Sequence, residues 1–116
     1  MVSRKLAAPD QGDVVWLNHD PQAGHEQAGH RPALVLSPKA YNAATGLMLC
    51  CPVTTRAKGY PFEVQLIGAK GVKGVVLSDQ LRSLDWEARG AEKAGRAADD
   101  VVTDVLAKLK VLLTVR

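Results

Sequence analysis

No apolar run in this 116-residue sequence approaches the ~20 residues needed to cross a bilayer, so a membrane-spanning helix is excluded. The opening stretch MVSRKLAAPDQGD carries charge but no apolar segment behind it. A secretory signal is therefore not expected, and the cytoplasm is the expected location. Cysteine is scarce: Cys50 and Cys51 are the only two, and they are adjacent. Neighbours on a strand point to opposite faces, so the pair is poorly placed to bond each other or share a metal. No disulfide framework is expected. Repeats and low-complexity tracts are also missing, which leaves one domain over residues 1–116. A hydrophobic fraction of 47% is too high for an intrinsically disordered class.

What is present is a series of short strand-like segments. Val14 to Leu17 follows a Gly12-Asp13 turn, Ala33 to Leu36 ends at Ser37-Pro38, and Leu47 to Val53 is apolar throughout, as a central strand would be. Phe62 to Leu66 alternates apolar and polar residues, Val75 to Leu77 follows turn glycines at 68, 71 and 74, and Leu81 to Trp86 offers a sixth segment. Residues 39–46 read as a turn or a single helical turn. Only the C-terminus reads as a full helix: Val101, Val102, Val105, Leu106, Leu109, Leu112 and Leu113 recur at helical spacing, with acids at its start and lysines toward its end. Several short strands and one late helix predict a mainly β fold, a small and partly open barrel whose opening the helix covers. Trp16 and Trp86 are expected in the core or a subunit interface.

Charge is uneven. Residues 31–96 hold ten Lys and Arg against five Asp and Glu, whereas residues 1–30 are net acidic. A basic middle suits a polyanionic partner. The polar stretch NHDPQAGHEQAGHR at 18–31 is long for a loop in a compact domain, and its composition predicts partial disorder without ligand. His25 and His30 stand five apart with glycines at 24 and 29, so they cannot share a helical face as a zinc-protease motif requires. The glycines at 68, 71 and 74 lack the Lys-Ser/Thr ending of a phosphate loop. What remains is an acid–base inventory in two segments, Glu26, His30 and Arg31 in the first and Thr54, Thr55, Arg56 and Lys58 in the second. Carboxylate, imidazole, guanidinium and hydroxyl together could drive attack by an RNA 2′-hydroxyl without a metal. Residue types alone do not fix that role.

The blocks GDVVW (12–16), EQAGHRPALVLSP (26–38), YN (41–42), PVTT (52–55), KGYPFEV (58–64), SDQLRS (78–83) with Trp86, and ARG (88–90) resemble the MazF/PemK family of toxin endoribonucleases. They occur in family order across nearly the whole chain, nearest the MazF branch. The resemblance implies an SH3-like barrel of the CcdB/PemK toxin fold, with a C-terminal helix. It implies a homodimer that cleaves single-stranded RNA at short sequences to 2′,3′-cyclic phosphate and 5′-hydroxyl ends, with no cofactor or metal. A MazE-like antitoxin would inhibit it, and DNA would be met only through the antitoxin complex. Carried over by position, the catalytic residues fall on Arg31 and Thr54, with Glu26 and His30 beside them. An arginine pKa above ~12 makes it a poor base, so Glu26 or His30 is preferred for proton transfer and Arg31 for holding the phosphorane. Asn18, His19, Gln27, Thr55, Arg56, Lys58, Gln80, Arg82 and Ser83 are the expected RNA contacts. Asn18-His19 stands where the MazF branch has an acid and an aromatic residue, which bears on base preference. The alternatives are a gyrase-binding toxin resembling CcdB, which would have no need of Glu26, Arg31 and Thr54 together, and a plain RNA-binding barrel, which would bind RNA without cutting it.

Overall fold

The computed structural model describes residues 7–20, 25 and 29–116. The seven strands are β1 (Asp13–Asn18), β2 (His30–Val35), β3 (Leu47–Thr54), β4 (Glu63–Gln65), β5 (Val75–Leu77), β6 (Arg82–Asp85) and β7 (Glu92–Arg96). Two helices complete the fold, α1 (Lys39–Thr45) between β2 and β3, and α2 (Asp99–Leu113) after β7. All strand pairs are antiparallel, in the order β4-β5-β3-β2-β1-β7, with β6 also on β3. One edge of β3 thus serves two partners, β6 along Leu47–Cys50 and β5 at Val53–Thr54.

The two outer ends of this sheet meet. Gly68, just past β4, bridges Ala97, just past β7. Ala98 N–H donates to Ile67 O at 2.8 Å and Ala69 N–H to Arg96 O at 2.6 Å. So short a seam closes the sheet only locally, giving the partly open barrel expected from the strand pattern. A side chain at Gly68 would stand 2.7 Å from Arg96 O, so only glycine lets the two backbones approach this closely.

The sheet separates two apolar clusters. Alternation along β1 sends Val14 to one and Val15 and Leu17 to the other. The larger holds Leu34, Cys51, Val53, Val64 and Val76, and is covered by Val101, Val102, Val105 and Leu109 of α2. The smaller holds Ala33, Val35, Met48, Cys50, Leu84 and Trp86. Each buried Val or Leu contributes about 1.5–3 kcal/mol relative to an exposed one. Cys50 and Cys51 are free thiols in different clusters, and burial pushes both pKa values up to about 12. Asp99 and Asp100 sit in the first turn of α2 and Lys110 in its last, complementing the helix dipole.

Three sequence expectations need correction. Residues 39–45 are an α-helix of seven residues, too short to stand alone. Asn42 pins it: its buried side chain donates to Pro9 O (2.8 Å) and Ser37 O (3.0 Å) and accepts from Ser37 Oγ (2.6 Å). Its carbonyl accepts from Trp86 Nε1 at 2.8 Å and from Gly46 N–H at 3.0 Å. Glu92–Arg96 is a strand that the pattern did not reveal. And His30 and Arg31 belong to β2, opposite Asn18 and Leu17, and not to a loop. The expected disorder over 18–31 falls largely on residues 21–24 and 26–28, outside those described.

Asn42→Ala leaves two carbonyls and one hydroxyl without their partner inside the protein. We expect a loss of about 2–3 kcal/mol in urea unfolding, well above a typical surface substitution. A loss under about 0.5 kcal/mol would show that α1 is held by other contacts.

Candidate active site

Of the predicted catalytic residues, His30 and Arg31 stand where β2 begins and Thr54 where β3 ends. Ala33 lies opposite Pro52 at the end of the β2–β3 ladder, with Arg31 two residues before it on β2 and Thr54 two residues beyond Pro52 on β3. Arg31 is exposed; Thr54 is buried, and its Oγ1 accepts the N–H of Arg56 at 3.1 Å. A cavity of about 300 Å³ is bordered by His30, Arg31, Thr55, Trp16, Val72 and Lys73, among others. Alternation turns His30 to the Trp16 side of the sheet, and the two rings stack at 5.6 Å with an 18° interplanar angle. Trp86 is in the core, whereas Trp16 is 36% exposed, which leaves for it the other half of the expectation, a subunit interface. Glu26 and Gln27 lie outside the described residues.

Thr54 is held from behind. Gly74 has φ +135°, and a Cβ there would stand 2.3 Å from Thr54 O. The start of β5 therefore packs against β3 backbone to backbone, at its last paired residue, Thr54 opposite Val75.

On the other side of β2, two arginines clasp the end of β1. Arg89 Nη1 donates to Asn18 O (3.0 Å) and Asp20 O (2.6 Å), and Arg82 Nη1 to His19 O (3.2 Å). Asn18 is exposed and its Oδ1 accepts Asp20 N–H, while Asp20 Oδ1 accepts Gly29 N–H, tying the two ends of the β1–β2 connection. Arg89 was not singled out in the sequence, where an arginine in a turn gives no signal although it lies in the ARG block; its place is to hold this end of β1.

His19 is 1% exposed, and among the described residues its ring nitrogens make no hydrogen bond of ordinary geometry, the backbone of Arg31 being only a loose neighbour. Burial, with the charge of Arg82 next and those of Arg89 and Arg31 adding, lowers its pKa from 6.5 to about 4, against a partly opposing contact with the Arg31 backbone. The imidazole is neutral and out of reach of solvent in this conformation. An unfolded chain takes up that proton near 6.5, whereas the folded one waits until about 4. Stability is therefore whole above pH 6.5 and declines as pH falls toward 4, by on the order of 2 kcal/mol after allowance for solvent screening. Urea midpoints at about pH 7 and pH 4.5 should show this loss, and His19→Phe should remove most of it. An equal pH dependence in the variant would assign the loss elsewhere.

The remaining predicted contacts spread around this centre. Thr55, Arg56 and Lys58 are exposed on the β3–β4 connection, whose backbone is fixed by Glu63 accepting from Lys58 N–H and Gly59 N–H, both at 2.8 Å. Gln80 is half-buried, its Oε1 without a partner among the described residues, and Ser83 is exposed opposite Leu49. Tyr60 and Phe62 pack on each other, tilted at 55°, with Tyr60 Oη donating to Asp79. Among the described residues no group of three His, Cys, Asp or Glu could hold a metal ion.

Residues 10–113 match the family model described as PemK-like, MazF-like toxin of type II toxin-antitoxin system. The chain belongs to that family. It is 53% identical to the endoribonuclease toxin MazF of Escherichia coli (strain K12) over 113 residues, covering 97% of this chain and 99% of the relative. The crystal structure of MazF from Deinococcus radiodurans superposes with a TM-score of 0.88 at 62% identity, covering 93% of this chain and 98% of that one. A MazE–MazF structure from the same organism gives 0.81 at 55% identity, covering 94% and 98%. The open seven-stranded sheet with its C-terminal helix is thus the MazF fold.

Proposed function

We propose that this chain is the toxin of a type II toxin–antitoxin pair, a sequence-specific endoribonuclease that cuts single-stranded RNA without a metal. The convergence of His30, Arg31 and Thr55 on one cavity, beside buried Thr54, carries this reading. Its near full-length identity to the E. coli endoribonuclease toxin supports it.

In the proposed reaction the 2′-hydroxyl oxygen bonds to the adjacent phosphorus while the bond from phosphorus to the 5′-oxygen breaks. The hydroxyl proton passes to Glu26 or His30, and a proton is returned to the departing oxygen. Products are a 2′,3′-cyclic phosphate and a 5′-hydroxyl. Arg31 offers a planar pair of N–H donors to the phosphorane oxygens. Thr54 would donate to a non-bridging oxygen, its hydroxyl already oriented by the Arg56 N–H it accepts. Two such units forming a homodimer in the cytoplasm, silenced by a MazE-like antitoxin, complete the proposal.

The test is incubation of the protein with a mixed-sequence single-stranded RNA pool in EDTA, followed by sequencing of fragment ends. Cleavage at one short word with 5′-hydroxyl ends is expected. Intact RNA from folded, antitoxin-free protein would overturn the enzyme in favour of a toxin that binds a protein such as gyrase. RNA affinity that weakens with salt, without scission, would leave a plain RNA-binding barrel.

A further inference from the structure

A second groove adjoins the cavity at Arg31 and shares with the chemistry above only His30. It measures about 580 Å³ and is open, lined by Trp16, His30, Lys70, Val72, Glu92 and Lys93, among others. Trp16, His30, Gly71 and Val72 border both spaces, so they form one path along the sheet. Lys70, Lys73 and Lys93 stand along it. Lys93 is shared with Asp13 at 3.4 Å, but among the described residues Lys70 and Lys73 have no acceptor. Glu92, opposite Trp16 in the β1–β7 ladder, is the one carboxylate in the lining.

A stacked aromatic pair beside unpaired ammonium groups suits a strand that alternates flat bases with phosphates. An acidic peptide would use the lysines and leave the flat surface idle. Building on the endoribonuclease reading, we infer that this groove binds the single-stranded RNA flanking the cleaved bond. One base rests on the Trp16–His30 pair, and phosphates run past Lys73 and Lys70. The groove gives affinity without reading sequence, because every base has a flat face and every phosphate the same charge.

The experiment measures binding of a mixed-sequence 2′-O-methyl RNA 12-mer, and separately of a glutamate-rich peptide, to the full chain. The probe lacks the attacking hydroxyl, so binding is read whether or not the chain cleaves RNA; failure of the groove and failure of the endoribonuclease reading are separate results. Trp16→Ala and the exposed double change Lys70→Glu/Lys73→Glu should each raise the RNA Kd about tenfold, and Trp16→Phe should hold it near the starting value. The double variant should also flatten the plot of log Kd against log salt by about 1.4, at ~0.7 for each phosphate no longer neutralised. Unchanged RNA affinity in these variants would overturn the inference. So would a weakening confined to the glutamate-rich peptide, which would give the groove to an acidic protein partner.

Discussion

Arg31→Ala should lower RNA cleavage by about 10²–10³-fold while the protein keeps its fold. The size follows from the position of the charge. A donor aimed at the oxygens of a pentacoordinate phosphorus acts mainly in the transition state, and removing one such donor typically costs two to three powers of ten in kcat. Structure should be spared because Arg31 is exposed and its strand is held by backbone pairing with Leu17 and by the apolar residues that follow it. Exposed substitutions of this kind usually stay within about 0.5 kcal/mol. Arg31→Lys keeps the charge but loses the planar fork, so it should recover only part of the rate. The check is single-turnover cleavage of a defined RNA together with urea unfolding of each variant. Full activity in Arg31→Ala would remove Arg31 from the chemistry, and an unfolded variant would show that it serves the fold.

Gly74→Ala should do damage of both kinds. The new methyl would stand 2.3 Å from the Thr54 carbonyl oxygen and 2.9 Å from its carbon, both backbone atoms that cannot swing aside. The φ of +135° adds strain for any residue with a Cβ. Relief requires β3 and β5 to part at Val53–Val76 and Thr54–Val75, so a loss of about 2–3 kcal/mol is expected. Cleavage should fall further than unfolding explains, by about 10- to 100-fold under conditions where the variant is folded, because Thr54 moves with its carbonyl. Measuring the urea midpoint and the single-turnover rate on the same preparation separates the two. A variant as stable and as active as its parent would mean that the β3–β5 contact does not fix Thr54.

The strands legible in the sequence are those whose side chains do the holding. Val14–Leu17, Leu47–Val53 and Val75–Leu77 are apolar chiefly because most of their residues face a cluster, Trp16, Leu47 and Leu49 being exposed, and α2 shows its period because four of its residues cover one. β7 was hidden because Glu92, Lys93 and Arg96 are exposed and Ala94 and Gly95 half-buried, so its hydrogen bonds to β1 define it. α1 was hidden for the same reason: of its seven residues only Asn42 is buried. At the site, polar composition disguised His30 and Arg31 as loop, although pairing with β1 makes them strand. Arg31 and Thr54 were recognisable only through the family blocks, since no local spacing relates residues on different strands. The groove was beyond reach for a related reason. It joins Trp16 to Lys70 and Lys93 through the barrel seam, which no pattern in the linear chain announces.

That seam also bears on how the protein is made. β1, the first strand, finds its outer neighbour in β7, and the larger cluster finds its cover in α2. A nascent chain still short of residue 92 carries β1 with a bare edge and an apolar surface open to water. Folding therefore waits on residues 92–113, and the cleft that β2 and β3 build stays loosely formed until they emerge from the ribosome.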